Sequence, residues 1–339
     1  MRIQLSMAPP GNTIKFVDQI VSTPRPGDSF HYYSWTRFLL GRYDVLHVHW
    51  PEHLIRSRYR ALATVKRAAL RLLLARLRLF SVAVVRTVHN LEPHAPVNDE
   101  EKRLLDLLDR RTDAYVVLNP TTPTPADRPR YLIPHGHYLG KIGDAGVTSR
   151  LERTTSFIHV GRIEPYKGVD QLLSSFAKLN VPDASLRIVG QPTRALRLTI
   201  EGAESEDRRV SSRLGFVNDA DLADEILRSE LVVLPYRQLH NSGILWVALS
   251  LGRPVLVPDN AATRAVEHEV GADWVFRMQT SLTADVLRAS LDWARSRPGE
   301  SPPRFVARDW PSIASRHHDM YAATLAGKRA ERLRNERPM

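Results

Sequence analysis

The stretch Val160-Gly161-Arg162-Ile163-Glu164-Pro165-Tyr166-Lys167-Gly168 follows an apolar run, Phe157 to Val160, and leads into Gly168-Val169-Asp170-Gln171-Leu172-Leu173, a helix start. Strand, glycine-bounded turn and helix in that order form the repeating unit of a parallel α/β sheet, whose ligands bind outside the carboxyl ends of the strands. Gly161 lets a ligand approach the backbone closely. Arg162 supplies a planar fork and Lys167 a point charge, a pair suited to a diphosphate. A solvated basic loop is the plainer reading, and the position at the end of a first strand argues against it.

Downstream of this stretch the alternation continues with Leu186 to Val189, Leu231 to Leu234, Val255 to Val257 and Trp274 to Phe276, each followed by a helical pattern. Upstream, apolar runs at 2 to 7, 44 to 50, 81 to 89, 114 to 118 and 131 to 134 alternate with helical patterns in the same way. A polar stretch from Gly140 to Thr155 separates the two series. A chain of 339 residues fits two domains. The expected organisation is α/β: a Rossmann-like domain over 1–145, a second over 154–308, and a last helix over 309–335 that crosses back to the first. Pro311 in the first turn marks that helix's start.

A second anion-compatible loop is Leu234-Pro235-Tyr236-Arg237-Gln238-Leu239-His240-Asn241-Ser242-Gly243, which leads into a helix from Ile244 to Leu251. Asn241 or Ser242 is placed to cap that helix, its free amides and dipole favour an anion, and Gly243 leaves room for a phosphate. Capping alone explains Asn and Ser, but not two phosphate-compatible loops on one sheet edge. Gly11, after the first strand, is a weaker candidate that an ordinary turn explains equally well. Asp219-Ala220-Asp221 resembles a pair of metal-binding acids, but its place before a helical pattern makes it a cap.

In the first series the strand ends carry His47, His49, Trp50 and Glu52, then His89, Asn90, Glu92 and His94, all directed to one cleft. His47, His49 and His89 with a carboxylate also fit a metal cage, the basis for a metal-dependent hydrolase as a rival function. The commoner fate of such histidines is a hydrogen bond in the core, and no His-Glu-x-x-His helix is present.

The sequence has no cysteine, so it forms no disulfide or thiolate metal site. No segment is apolar enough to span a membrane, and the amino terminus lacks the apolar core of a signal peptide, so a cytoplasmic protein is expected. The net charge of +11 calls for an anionic partner: nucleic acid, anionic lipid or a phosphorylated substrate. Nucleic acid is disfavoured because it leaves the paired phosphate loops unexplained. No acid occurs between Glu52 and Glu92, and at helical spacing Arg56, Arg60, Arg67, Arg71 and Arg78 form one stripe with Leu62, Ala69, Leu73 and Phe80 opposite. The stripe is expected to touch an anionic membrane surface, the alternative being a solvated face.

On these residues the sequence resembles glycosyltransferases of the GT-B fold, in particular bacterial exopolysaccharide and glycolipid enzymes with a Gly-Arg-x-x-x-x-Lys-Gly loop. The resemblance spans nearly the whole chain and also rests on Ile133-Pro134-His135-Gly136-His137-Tyr138, Gly252-Arg253-Pro254-Val255 and the closing Trp310 to Tyr321 segment. It implies two Rossmann-like domains facing a cleft. The second would hold a nucleotide sugar through Arg162, Lys167, Asn241, Ser242 and Gly243, with Gly11 and His89 of the first domain near the donor. One departure is clear: many retaining members carry two glutamates where Leu239 and Val247 stand here. Inversion is then favoured, with Glu92 or Glu52 as the base that deprotonates an acceptor hydroxyl, and no metal cofactor is needed. The expected function is transfer of a sugar, with GDP-mannose as donor on family likeness alone, to a lipid-linked or saccharide acceptor at the inner face of the cell membrane. A GT-B epimerase or phosphorylase is the nearest alternative.

Overall fold

The computed structural model describes residues 1–11, 13–90, 98–142, 153–297 and 301–335. The chain divides into two compact units, Met1–Gly136 with Ala307–Met339, and His137–Val306.

The first unit runs β1 (Arg2–Leu5), α1 (Phe16–Val21), β2 (Ser29–His31), α2 (Trp35–Leu40), β3 (Val45–His49), α3 (Arg60–Leu79) and β4 (Ala83–Val88). It continues with α4 (Asp99–Arg111), β5 (Ala114–Val117) and β6 (Arg130–Leu132). The second unit runs β7 (Thr155–Val160), α5 (Val169–Ala177), β8 (Leu186–Gly190), α6 (Arg194–Glu206), β9 (Val210–Leu214) and α7 (Asp219–Leu227). Then come β10 (Ser229–Val233), α8 (Gly243–Ser250), β11 (Val255–Pro258), α9 (Ala261–Val270), β12 (Val275–Met278) and α10 (Ala284–Ser296). The last helix, α11 (Trp310–Asn335), packs on α1 and β4 and so belongs to the first unit, as the sequence suggested.

Each unit holds one six-stranded sheet, ordered β2-β1-β3-β4-β5-β6 and β12-β11-β10-β7-β8-β9, with all the paired strands parallel. In the first sheet the chain moves out from β1 to β2 and then crosses to β3 on β1's other side. In the second it moves from β7 through β8 to β9 and returns to β10 beside β7. Such reversals open a crevice at the carboxyl ends of the strands, here beside β1 and β3 and beside β7 and β10.

Both faces of each sheet are covered, which is why the central strands read as continuous apolar runs. Along β3, Val45 packs with α1 and α11 on one face, while Leu46 and Val48 pack with α2, α3 and α4 on the other. His47 and His49 share Val45's parity and therefore point toward α1 and α11.

The arginine stripe needs correcting. Arg56 precedes α3, and Arg56 and Arg67 both bind Glu101 of α4 (3.1 and 3.0 Å), while Arg67 and Arg71 bind Glu100 (2.8 and 2.7 Å). Three of the five arginines are thus bound to α4, and only Arg60 and Arg78 of the five lie exposed without an ion pair among the described residues. The core face of α3 is Ala63, Leu70, Leu73 and Leu77, and Leu62 and Phe80, expected there, are exposed. The sequence showed the arginines but not the acids of α4 that they meet.

Candidate functional site

At the β7–β10 crevice, Gly161 takes φ +110° and Gly168 φ +70°, conformations that favour glycine. A β-carbon on Gly168 would collide with the carbonyl of Pro235, so its absence lets the turn Pro165–Lys167 lie against the end of β10. The backbone N–H of Arg237 donates to the Tyr166 carbonyl (2.8 Å) and fixes the two loops together. Ser242 caps α8, its hydroxyl accepting from Leu245 N (3.4 Å). The first turn of α8 reaches Gly161: Ile244 Cγ1 stands 3.3 Å, and Lys167 Nζ 3.7 Å, from the point a Gly161 β-carbon would occupy.

Lys167 is the notable residue here. It is 7% exposed, and its ammonium, 5.1 Å from the Tyr236 ring centroid, makes no hydrogen bond or ion pair among the described residues. A buried ammonium outside an ion pair is costly, and burial lowers its pKa below the ordinary lysine value. Beneath it, His159 gives its Nδ1 to the Val233 carbonyl (2.9 Å), and burial pushes its pKa down to about 3, so it is neutral. Its Nε2 is buried without a hydrogen-bond partner among the described residues. Arg162 is exposed and free of ion pairs among the described residues. Asn241 and Gly243 flank the Ser242 cap and are half-buried. The crevice thus brings together a buried cation, an exposed arginine and the amino end of a helix, groups that together compensate a phosphate-sized anion.

The first unit's strand ends carry a histidine cluster instead. His47 is bound at both nitrogens, Nδ1 to the Tyr321 hydroxyl (2.7 Å) and Nε2 to Thr87 Oγ1 (2.8 Å). His49 Nδ1 lies 2.9 Å from His89 Nε2, so one of these nitrogens donates and the other accepts. Trp50, at φ +45°, stacks on His89 with ring centroids 3.8 Å apart. Phe16 touches His49, His89 and His135 edge-on or tilted, at 5.8, 5.2 and 5.3 Å. Burial, as the largest cause, lowers His47 and His49 far below the ordinary histidine pKa, His89 to about 3 and His135 to about 4. The cluster is neutral at pH 7.

This geometry removes the metal cage read from His47, His49 and His89. Both nitrogens of His47 are engaged with hydroxyls, His49 and His89 face each other, and no metal-binding group of three occurs among the described residues. Glu52 is half-buried in the turn Pro51–Leu54 after β3, without a side-chain partner among the described residues. Glu92 and His94 lie outside the described residues. Gly11 is exposed after β1, and Asn218, rather than Asp219 or Asp221, caps α7. The sequence reading missed that α11 supplies Tyr321, and that Gln19 of α1 holds His135 (3.3 Å) and the Gly136 amide (2.8 Å). Such long-range partners have no local pattern.

Against known proteins, residues 154–291, the part that holds the β7–β10 crevice, match the family described as glycosyl transferases group 1. A GDP-mannose:glycolipid 4-beta-D-mannosyltransferase from Xanthomonas campestris pv. campestris is 39% identical, over 94% of this chain and 90% of the relative. The chain belongs to the group 1 glycosyltransferases.

Solved glycosyltransferases share the fold. HepE from Anabaena, solved with UDP-glucose, superposes with a TM-score of 0.66 at 13% identity, covering 95% of this chain and 99% of that one. Sucrose-phosphate synthase from Thermosynechococcus elongatus gives 0.62 at 18% identity, covering 84% and 74%. The architecture is GT-B, and the chain is a nucleotide-sugar-dependent glycosyltransferase; a hydrolase reading finds no support.

Proposed function

We propose that this glycosyltransferase moves mannose from GDP-mannose to a lipid-linked saccharide at the inner face of the bacterial membrane, in exopolysaccharide or glycolipid assembly, with inversion at the anomeric carbon. The carrying observation is Lys167, a buried ammonium without an ion pair among the described residues, set against Gly161 and the first turn of α8. A diphosphate would complete it. The donor and the acceptor class follow the 39%-identical relative, a GDP-mannose:glycolipid mannosyltransferase. The β-linkage in that relative's name is what inversion of an α-linked donor yields.

In this reading Lys167, Arg162 and the α8 amides, near Asn241, Ser242 and Gly243, take up charge on the leaving nucleoside diphosphate without a metal ion. Gly11 borders the donor. His89, held by His49 and Trp50, is neutral and offers a hydrogen-bonding edge to the sugar rather than a charge. Glu92 takes the acceptor proton, and Glu52 is the second candidate.

The test is transfer from GDP-mannose to a lipid-linked acceptor, with NMR of the new linkage. Glu92→Gln is expected to cut kcat at least a hundredfold with GDP affinity retained. Activity kept in Glu92→Gln and lost in Glu52→Gln moves the base to Glu52, and an α-linked product rejects the inverting mechanism.

A further inference from the structure

Around its axis α3 shows three faces: the core face, the arginines turned to α4, and a third, exposed face that is apolar. Leu62, Val65, Leu72 and Leu79 recur at steps of three and seven residues and are 46, 61, 63 and 79% exposed. The row runs the length of the helix, about 25 Å at 1.5 Å per residue. At its far end Phe80 is also exposed, on a tight turn in which Ser81 takes φ +51°, an uncommon conformation for a residue with a side chain.

This tip stands between two hollows at the amino-terminal edge of the first sheet, opposite the edge that carries His49 and His89. One, about 1150 Å³, is lined by Leu40, Arg42, Leu72, Leu79, Phe80 and Arg329 among others. The other, about 680 Å³, includes Arg78, Leu107 and Arg110. Leu40 is exposed in the same way as Leu79. Arg42, Arg78, Arg110 and Arg329 are exposed and have no ion pair among the described residues. The acids that line the hollows, Asp44 and Glu331, are held by Arg2 (2.8 Å) and Lys328 (3.4 Å).

We propose that α3's outer row and the Leu79–Phe80 tip are the membrane-contact face of the first unit, with the four arginines binding the phosphates of anionic phospholipids. Continuous apolar side chains rimmed by unpaired cations match the boundary between acyl chains and anionic headgroups, where long basic side chains reach outward while the apolar face is buried. A protein partner for this rim would need acids set against each arginine; an anionic leaflet offers them at any register. The proposal rests on the lipid-linked acceptor of the preceding reading and replaces the five-arginine stripe, most of which is bound within the fold.

The experiment is co-sedimentation of the full chain with phosphatidylcholine vesicles, with or without phosphatidylglycerol, at 0.1 and 1 M salt. The variants are Leu72→Ser/Leu79→Ser/Phe80→Ser, Arg42→Glu/Arg78→Glu/Arg329→Glu and, as control, Leu198→Ser on α6. All replaced side chains are exposed, and circular dichroism confirms folding. The apolar variant is expected to lose at least tenfold in partitioning at either salt. The arginine variant loses as much at 0.1 M salt on anionic vesicles only, and Leu198→Ser matches wild type. Equal sedimentation of every form, or absence of wild-type binding, overturns the proposal. A wild-type dimer in sedimentation velocity that the serine variant dissolves also overturns it, because the row is then a self-association face. Calorimetry with GDP, run in parallel, keeps the two readings separate: wild type that binds GDP but no vesicles rejects the surface alone, and absent GDP binding in wild type rejects the donor reading.

Discussion

The two crevices are built on the same device, a reversal of strand order in a parallel sheet, yet they handle polarity in opposite ways. Beside β7 and β10 a buried cation makes no ion pair among the described residues, whereas beside β1 and β3 the buried polar groups are bound mainly to one another. The first arrangement is costly until an anion arrives. In the second, His47 is bound at both nitrogens and His49 to His89, while His49 Nε2 and His317 Nε2 are buried without a hydrogen bond among the described residues, and the cluster depends on its histidines remaining neutral.

Acid should separate the units most sharply. In the first unit His47, His49, His89, His135 and His317 are all lowered by burial, the last to about 4, against His159 and His240 in the second. The folded pKa values lie below the ordinary 6.5, so below that pH the unfolded chain takes up protons that the folded chain refuses, and stability falls. Each histidine contributes a loss of roughly 1.4 kcal/mol per pH unit until its folded pKa is reached. Hydrogen exchange in urea, compared at pH 7.5 and 5, should show β3 and β4 opening before β7 and α5. The reverse order would break the comparison.

Next in size is Gly190→Ala. A β-carbon there would overlap the Gly161 carbonyl, and φ is +135°, so the substitution should cost on the order of 3 kcal/mol or more, read as a fall in the second unit's melting temperature. Lys167→Ala should weaken GDP binding by about 10- to 100-fold, the equivalent of a charge-assisted hydrogen bond worth ~1.5–3 kcal/mol. The melting temperature without ligand should be unchanged or higher, because an uncompensated buried charge is removed. Calorimetry and thermal melting read the two parts separately, and lost stability with unchanged affinity would make Lys167 a structural residue. The smallest effect belongs to Gly11→Ala, within about 0.5 kcal/mol in stability, because the nearest atom is the flexible end of Lys15 at 3.2 Å. A large loss there would show that the β1 crevice is packed as tightly as its counterpart.

Five strands of each sheet were legible as apolar runs, and the sixth was missed in both. β2 and β9 are edge strands whose residues are mostly half-buried, so neither carries the continuous apolar run of a strand covered on both faces. The α3 helix failed differently: its arginines and leucines were visible, but helical spacing alone assigned the wrong face to the core.

Local order therefore determined the α/β class, the glycine-bounded turn that carries Lys167, the cap of α8 and the return of the last helix, because each is written in residues a few positions apart. Tertiary structure decided that Lys167 is buried without an ion pair among the described residues, that Tyr321 closes on His47 274 residues away, and that Glu100 and Glu101 claim three arginines of the supposed membrane stripe. Whether a charge is free or satisfied depends on its neighbours in space, and the chain order of a parallel sheet does not bring those neighbours together in sequence.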